Sequence, residues 1–375
     1  MNSHISLGTA AWLLLAITFA CGGSGGGSST ASGVFLDSPV QGLSFSSGTE
    51  SGTTDAAGTF TYPAGSTVEF SIGGTVLGSA PGAASITPVS LVAGAADEND
   101  ATVTNILRLL QTLDSDRDPS NGIVLADAVR TALQASSLNF AQSVAAFEAD
   151  ATVTAALSAA GAGTLVTTTA ARSHFRGTLL ARLAGRYRGT FTGNASGTFS
   201  FVMDRNGRLL GWGVESQELF NYTGTTASDG SSVFGSVSTG ATFSGTTGDG
   251  AINGTWSNSS SGESGTFTGT QVESIDVSID GSTLQQIMGT YSGSATIGGM
   301  TDPVTLILDS AGNVTVPPVA ESIAVLVGTT ATGARLLGTD LEATDFAGTF
   351  DLAGNVSGTL TNTVEGQSGS FQVAR

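Results

Sequence analysis

Between residues 32 and 92 apolar and polar residues alternate in short runs, GVFLD, GLSFSS, GTFTYPAG and STVEFSIGGTVLGSA, interrupted by Gly, Pro, Ser and Asp. A period of two marks half-buried strands, so this segment is expected to be β. Phe60 and Tyr62 stand two apart and share one strand face, following a turn built on Asp55 and Gly58. From about residue 95 to 184 the chain becomes alanine-rich and the period lengthens. In DENDATVTNILRLLQTLD, the residues Val103, Ile106, Leu107, Leu110 and Leu113 recur three and four apart, which predicts a helix. Asp97, Glu98 and Asp100 lie at its positive end, where acids are favoured. Further helices are predicted over 126–135, 141–148 and 151–159, and TTTAARSHFRGTLLARLAG predicts a fifth leading into the next unit.

The remaining half reads as a duplication. LLARLAGRYRGTFTG pairs with LQQIMGTYSGSATI, which sets Gly185, Tyr187 and Gly189 against Gly289, Tyr291 and Gly293. MDRNGRLLG pairs with LDSAGNVTV, FSGTTGDGAINGTWSN with FAGTFDLAGNVSGTLTN, and GESGTFTG with GQSGSFQV, at a nearly constant offset. Each copy holds about eight strand-sized segments with turn residues after nearly every one, the pattern of an up-and-down meander that closes into a small barrel. Tyr187, Phe191, Phe199, Phe201 and Trp256 are expected to fill the interior, because eight strands enclose little spare volume. The fold class is therefore multidomain and mainly β. The expected units are a signal peptide (1–20), a Gly/Ser tether (21–31), a prealbumin-like β-sandwich (32–92), a helical domain with an Asp-rich loop (93–177) and two antiparallel barrels (178–274 and 275–375).

Composition narrows the function. The chain has 375 residues, a net charge of −18, 12 arginines and no lysine. That balance argues against nucleic acid and other polyanions as partners. The lone cysteine, Cys21, excludes an intrachain disulfide. Ahead of it ISLGTAAWLLLAITFA is too short for a spanning helix and suits a secretory signal. TFACGGSGGGSST resembles a bacterial lipoprotein signal, which implies lipidation of Cys21, a flexible spacer and an outer-membrane address, facing either the surface or the periplasm. Thr18, Phe19 and an n-region without Lys or Arg depart from that pattern and leave ordinary cleavage after Ala20 open.

Three further resemblances bear on architecture. Val40, Gly42, Thr54, Asp55, Gly58 and Phe60 match the V-x-G and T-D-x-x-G-x-F signature of carboxypeptidase regulatory-like, prealbumin-type sandwiches, which implies a non-catalytic spacer. The succession of sandwich, VTNILRLLQTLDSDRDPSNGI and helical segment resembles a layout found among uncharacterised exported bacterial lipoproteins. The G-x-Y-x-G opening of each repeat resembles the first strand of lipocalin, streptavidin-like and transferrin-binding-type barrels.

LDSDRDPSNGI carries the strongest candidate chemistry. Framed from Asp116, it resembles an EF-hand or dockerin-like calcium loop, which implies ligation by Asp116, Asp118, Ser120, the Gly122 carbonyl and Asp127. Asn121 stands where the turn glycine is usual, Ser120 replaces an acid, and Asp127 replaces Glu. A frame from Asp114 is poorer, since it places Pro119 and Leu125 at the turn and final-ligand positions. The competing reading is a solvated turn closed by aspartates on backbone N–H groups.

Enzymatic constellations are sparse. His174 is the single histidine beyond the signal segment and lacks a G-x-S-x-G partner, and zinc sites need more His or Cys ligands. The expectation is a lipid-anchored, non-catalytic binding or scaffold protein with structural Ca2+, a membrane contact through Cys21 and a protein or glycan partner. The alternatives are a carboxylate-based carbohydrate-active enzyme and a carrier of small apolar molecules inside the barrels.

Overall fold

The structure is a computed structural model that describes residues 29–227, 230, 232–248, 250–275, 279–310, 312–317 and 322–375. The expected signal peptide, Cys21 and the tether as far as Ser28 lie outside the described residues. Among those described, no helix is long and apolar enough to cross a membrane.

Short alternating runs at the N-terminal end form strands β1 (Thr30–Phe35), β2 (Val40–Gln41), β3 (Ser44–Ser47), β4 (Glu50–Thr53), β5 (Thr59–Pro63), β6 (Thr67–Ile72), β7 (Thr75–Pro81) and β8 (Ser85–Ile86). They make two small sheets, ordered β5-β1-β8 and β4-β3-β6-β7, while β2 pairs in parallel with β9 (Ile123–Val124). Asp55 closes the expected turn: its Oδ1 accepts the N–H groups of Ala57 and Thr59 at 2.9 and 2.8 Å, and Gly58 takes a positive φ of 74°. Phe60 and Tyr62 do share the inward face, and Phe60 meets Phe70 edge-on at 5.0 Å.

The helices are α1 (Ala101–Thr112), α2 (Asp127–Ala132), α3 (Val144–Ala149), α4 (Ala151–Ala159) and α5 (Thr168–Leu183). Asp100 caps α1 by accepting from the backbone of Thr102 and Val103. One face of α1, with Ile106, Leu109 and Leu110, completes the core that begins at Phe35 and runs to Leu165, so sandwich and helices share a single interior. The other face, Val103 and Leu107, packs on Ala171 and Phe175 of α5. Helix α5 crosses the expected boundary at residue 177. Its first turns belong to the helical layer, and its last turn closes the first barrel.

Barrel 1 comprises β10 (Gly185–Gly193), β11 (Gly197–Met203), β12 (Arg208–Glu215), β13 (Glu218–Thr226), β14 (Ser232–Val237), β15 (Thr242–Gly248), β16 (Ala251–Asn258) and β17 (Glu263–Ser274). After α6 (Gly281–Ile287), barrel 2 repeats the plan with β18 (Gly289–Ile297), β19 (Met300–Leu308), β20 (Asn313–Thr315), β21 (Ser322–Thr330), β22 (Gly333–Asp340), β23 (Thr344–Asp351), β24 (Asn355–Asn362) and β25 (Gln367–Ala374). Both are closed eight-stranded antiparallel meanders, as the duplication implies. The repeated G-x-Y has a physical role. Tyr187 Oη donates to the Leu183 carbonyl at 2.9 Å and Tyr291 Oη to the Ile287 carbonyl, so in each copy the tyrosine satisfies the end of the preceding helix.

The barrels pack side by side. Val202 and Leu210 of barrel 1 meet Ile323, Val325 and Leu337 of barrel 2. Around this apolar contact, arginines of barrel 1 reach acceptors of barrel 2: Arg186 and Arg188 pair with Asp345, Arg186 Nη2 donates to the Gly338 carbonyl at 3.0 Å, and Arg205 and Arg208 donate to the carbonyls of Leu326 and Ser322.

Candidate functional site

Inward positions of barrel 1 alternate ring and glycine along the strands: Tyr187-Gly189-Phe191, Phe220-Tyr222-Gly224, Phe243-Gly245, Ile252-Gly254-Trp256 and Gly265-Phe267-Gly269. The glycines are places where rings lie down. A Cβ on Gly189 would come 2.5 Å from the Phe199 ring, one on Gly235 2.5 Å from Phe243, and one on Gly254 2.7 Å from Phe267. Large and small residues thus interlock along the wall, and the rings follow it instead of pointing at the axis. They also hold one another edge to face, as Tyr222 with Phe243 at 5.6 Å and Phe199 with Phe267 at 6.1 Å.

Between the rings the barrel is open at one end. A cavity of about 290 Å³ opens into barrel 1 between Phe191, Phe199, Phe201, Phe220, Tyr222, Phe243, Phe267 and Trp256, with Leu209, Val237 and Ile252 completing the apolar lining. The expectation of a filled interior holds in part: Tyr187, Phe199 and Phe201 are buried in the interior cluster, while Phe191 and Trp256 are half-buried and line the open end of the cavity. Leu183 of α5 packs against the interior cluster at one end. At the other end the hairpins 193–197, 215–218, 237–242 and 258–263 form a mouth, where Ala195, Glu215, Thr239, Ala241, Asn258 and Glu263 reach the cavity.

The aspartate loop adopts a hydrogen-bonded turn. Asp116 accepts the Asp118 N–H at 2.9 Å and Asn121 Nδ2 at 2.9 Å, and these bonds hold its carboxyl below the usual range, the Asn121 contact foremost. Asp118 accepts the N–H of Ser120 at 3.2 Å and also its hydroxyl. Gly122 takes a φ of 110° at the end of this turn. Asp127 opens α2 and pairs with Arg130, whose Nη1 donates to the Leu125 carbonyl at 2.9 Å and the Gly42 carbonyl at 3.1 Å. Among the described residues no group of three or more His, Cys, Asp and Glu side chains is placed to hold a metal ion. Asp114 is the buried member. Its Oδ1 accepts the Val124 N–H at 2.8 Å, its Oδ2 receives no donor among the described residues, and burial raises its pKa to about 6, with Asp116 adding to the rise.

His174 lies in a buried knot that spacing alone did not reveal. Its Nε2 faces Ser38 Oγ at 3.0 Å and the Asp37 carbonyl at 3.3 Å, and Asp37 Oδ1 lies 4.0 Å from the same nitrogen. A hydrolytic relay places serine and carboxylate on opposite ring nitrogens, which this geometry does not. Asp37 is fully buried and accepts Gln111 Nε2 on both oxygens at 3.1 Å, while burial raises its pKa well above the ordinary value. Through these bonds the knot joins the sandwich to α1 and α5.

No family model matches the chain, and no curated protein matches it. Two solved structures similar to it are mutants of transferrin binding protein B from Haemophilus parasuis Hp5, each at 8% identity over 51% of this chain and 48% of that one, with TM-scores of 0.22 and 0.21. The chain thus spans just under half the length of those proteins. A protein of unknown function from the DUF3598 family of Nostoc punctiforme PCC 73102 is similar at 9% identity over 53% of this chain and 97% of that one, with a TM-score of 0.19. At these scores the likeness carries no inference about ligand or role.

Proposed function

We propose that the chain is an exported, lipid-anchored binding protein of the bacterial outer membrane in which barrel 1 takes a small apolar molecule and the other units support and orient it. The observation that carries this reading is the cavity of about 290 Å³, lined by aromatic rings and opening through hairpins. It lies near the lower bound of roughly 300 Å³ for small-molecule sites and has the expected mixture of apolar walls with a few polar groups at one end. Anchoring through Cys21 would place that mouth outside the cell or in the periplasm. A calcium brace at residues 113–128 belongs to the same reading as a bound state that the turn would have to rearrange to reach, with Arg130 releasing Asp127.

A blocked mouth tests the proposal. N-phenyl-1-naphthylamine is a neutral dye that brightens in apolar surroundings. Its fluorescence should rise with the full chain and fail to rise with Ala195→Trp, which places a large ring at the half-buried hairpin position. Equal brightening by both proteins, at unchanged melting temperature, would show that the dye sits elsewhere and that the barrel interior is not the site.

A further inference from the structure

Two features of the mouth go beyond an apolar container, and both concern charge. Glu215 follows Leu209, Gly211 and Gly213 on the inward register of β12, and the half-buried side chain lines the cavity. Among the described residues its carboxylate has no hydrogen bond or ion pair, so its charge faces the solvent-filled mouth without a counter-ion. Glu263 lines the same mouth from β17, with its Oε2 accepting Ser261 Oγ at 2.7 Å. The hairpins GNASG, ESQE, VSTGAT and NSSSGE that form the rim contain Glu215, Glu218 and Glu263 and no basic residue. The arginines of barrel 1 are committed elsewhere, Arg186, Arg188, Arg205 and Arg208 all to barrel 2.

The rings beside these carboxylates are arranged for the same sign of charge. Phe191 stands nearly perpendicular to Phe220, at 80° and 5.5 Å, and to Trp256, at 88° and 6.3 Å. Gly197, whose missing side chain makes room for the Phe191 ring, is the cross-strand partner of Glu215. Such a pair leaves free the faces of the ring whose edge makes the contact, and beside an unpaired carboxylate a free face offers a cation π-attraction together with a counter-charge. An anionic ligand would instead be repelled at the entrance.

We propose that barrel 1 is specific for molecules that join an apolar body to a single cationic ammonium group. The body lies along Phe199, Phe201 and Ile252, and the ammonium stays at the mouth between Phe191, Phe220, Trp256 and Glu215. The proposal rests on the cavity being the binding site, and it adds the ligand class.

Three probes of similar size separate the two levels: benzyltrimethylammonium, its uncharged tert-butyl carbon isostere, and benzylsulfonate, each titrated calorimetrically into the full chain and into Glu215→Gln. The expected result is that the ammonium binds at least about tenfold more tightly than the isostere, equivalent to ~1.4 kcal/mol, and that the sulfonate does not bind. In Glu215→Gln the ratio should fall to about threefold or less while the isostere is unaffected, since only the charge has been removed. Equal binding of ammonium and isostere by the unmodified chain would overturn the cation specificity and leave the cavity reading standing. Binding of neither would overturn both. A ratio that survives in Glu215→Gln would overturn the role given to Glu215.

Discussion

Asp114 offers a quantitative test of how the aspartate loop is built. Asp114 is 4% exposed, one carboxyl oxygen accepts the Val124 N–H and the other receives no donor among the described residues, and burial lifts its pKa from 3.8 to about 6, with the neighbouring Asp116 carboxylate, to which it can donate when protonated, adding to the rise. An acid whose folded pKa lies above its unfolded value binds an extra proton in the folded state between those two pH values. The folded form is therefore favoured by protonation below pH 3.8, and that benefit is lost as pH rises to about 6. At neutral pH the charged, buried carboxylate costs up to ~3 kcal/mol; solvent still reaching the loop reduces this to about 1.5 kcal/mol. Asp114→Asn keeps an oxygen for Val124 and removes the charge beside Asp116. It should raise the melting temperature of the N-terminal unit by about 3 to 6 °C at pH 7.5, and the gain should shrink to nothing by about pH 4. Paired melts of the two proteins across that range suffice. A gain of equal size at both ends, or a loss at pH 7.5, would mean that Asp114 is not the strained charge of this turn.

For the proposed calcium brace, melts in millimolar calcium should lie above those in chelator, and coincident melts would refute it. A calcium-dependent rise abolished by combining Asp116→Ala with Asp118→Ala would establish a rearranged, ion-bound form. At the barrel contact, Arg186→Met leaves the buried Asp345, among the described residues, with Arg188 and Thr339 Oγ1 and should destabilise the paired barrels by about 3 kcal/mol, measured by urea unfolding. Adding Asp345→Leu should restore most of that loss, and a double variant no more stable than Arg186→Met would refute the pairing as the cause.

Much of this architecture was legible from period alone. The shift from two-residue to helical spacing near residue 95 located α1, and all five of its expected inward residues are buried because that helix is enclosed by the sandwich core on one face and α5 on the other. The duplication was equally clear, since turn residues recur where the strands of two identical meanders end. The shared core of sandwich and helices was not legible, because nothing local tells Leu110 that its neighbours will be Phe35 and Phe70. The knot at His174 was missed for a similar reason: Asp37 and Ser38 lie 137 and 136 residues away. The aspartate spacing was readable but ambiguous, because a calcium loop and an Asx-type turn use the same residues; the structure shows the Asx-type bonds, with Asp127 turned toward Arg130.

The open interior of barrel 1 also left a trace in the sequence, one that volume reasoning overrode. Counting strands gives a barrel of fixed radius, and filling it with phenylalanine predicts a solid core. That holds where the rings cross the axis. In barrel 1 the residue two positions along is repeatedly glycine, so the space a side chain would occupy on the wall is taken by a neighbour's ring, and a cavity remains between the rings at the open end. Barrel 2 uses the same device at Gly338 beneath Phe346 and at Gly358 beneath Phe371, yet its interior cluster is chiefly aliphatic, with Leu306, Leu308, Leu326, Leu336, Val356 and Val373. Branched aliphatic side chains cannot lie flat along a wall as rings do, and they project inward. One repeated barrel plan thus supports two interiors, ring-lined in the first copy and chiefly aliphatic in the second.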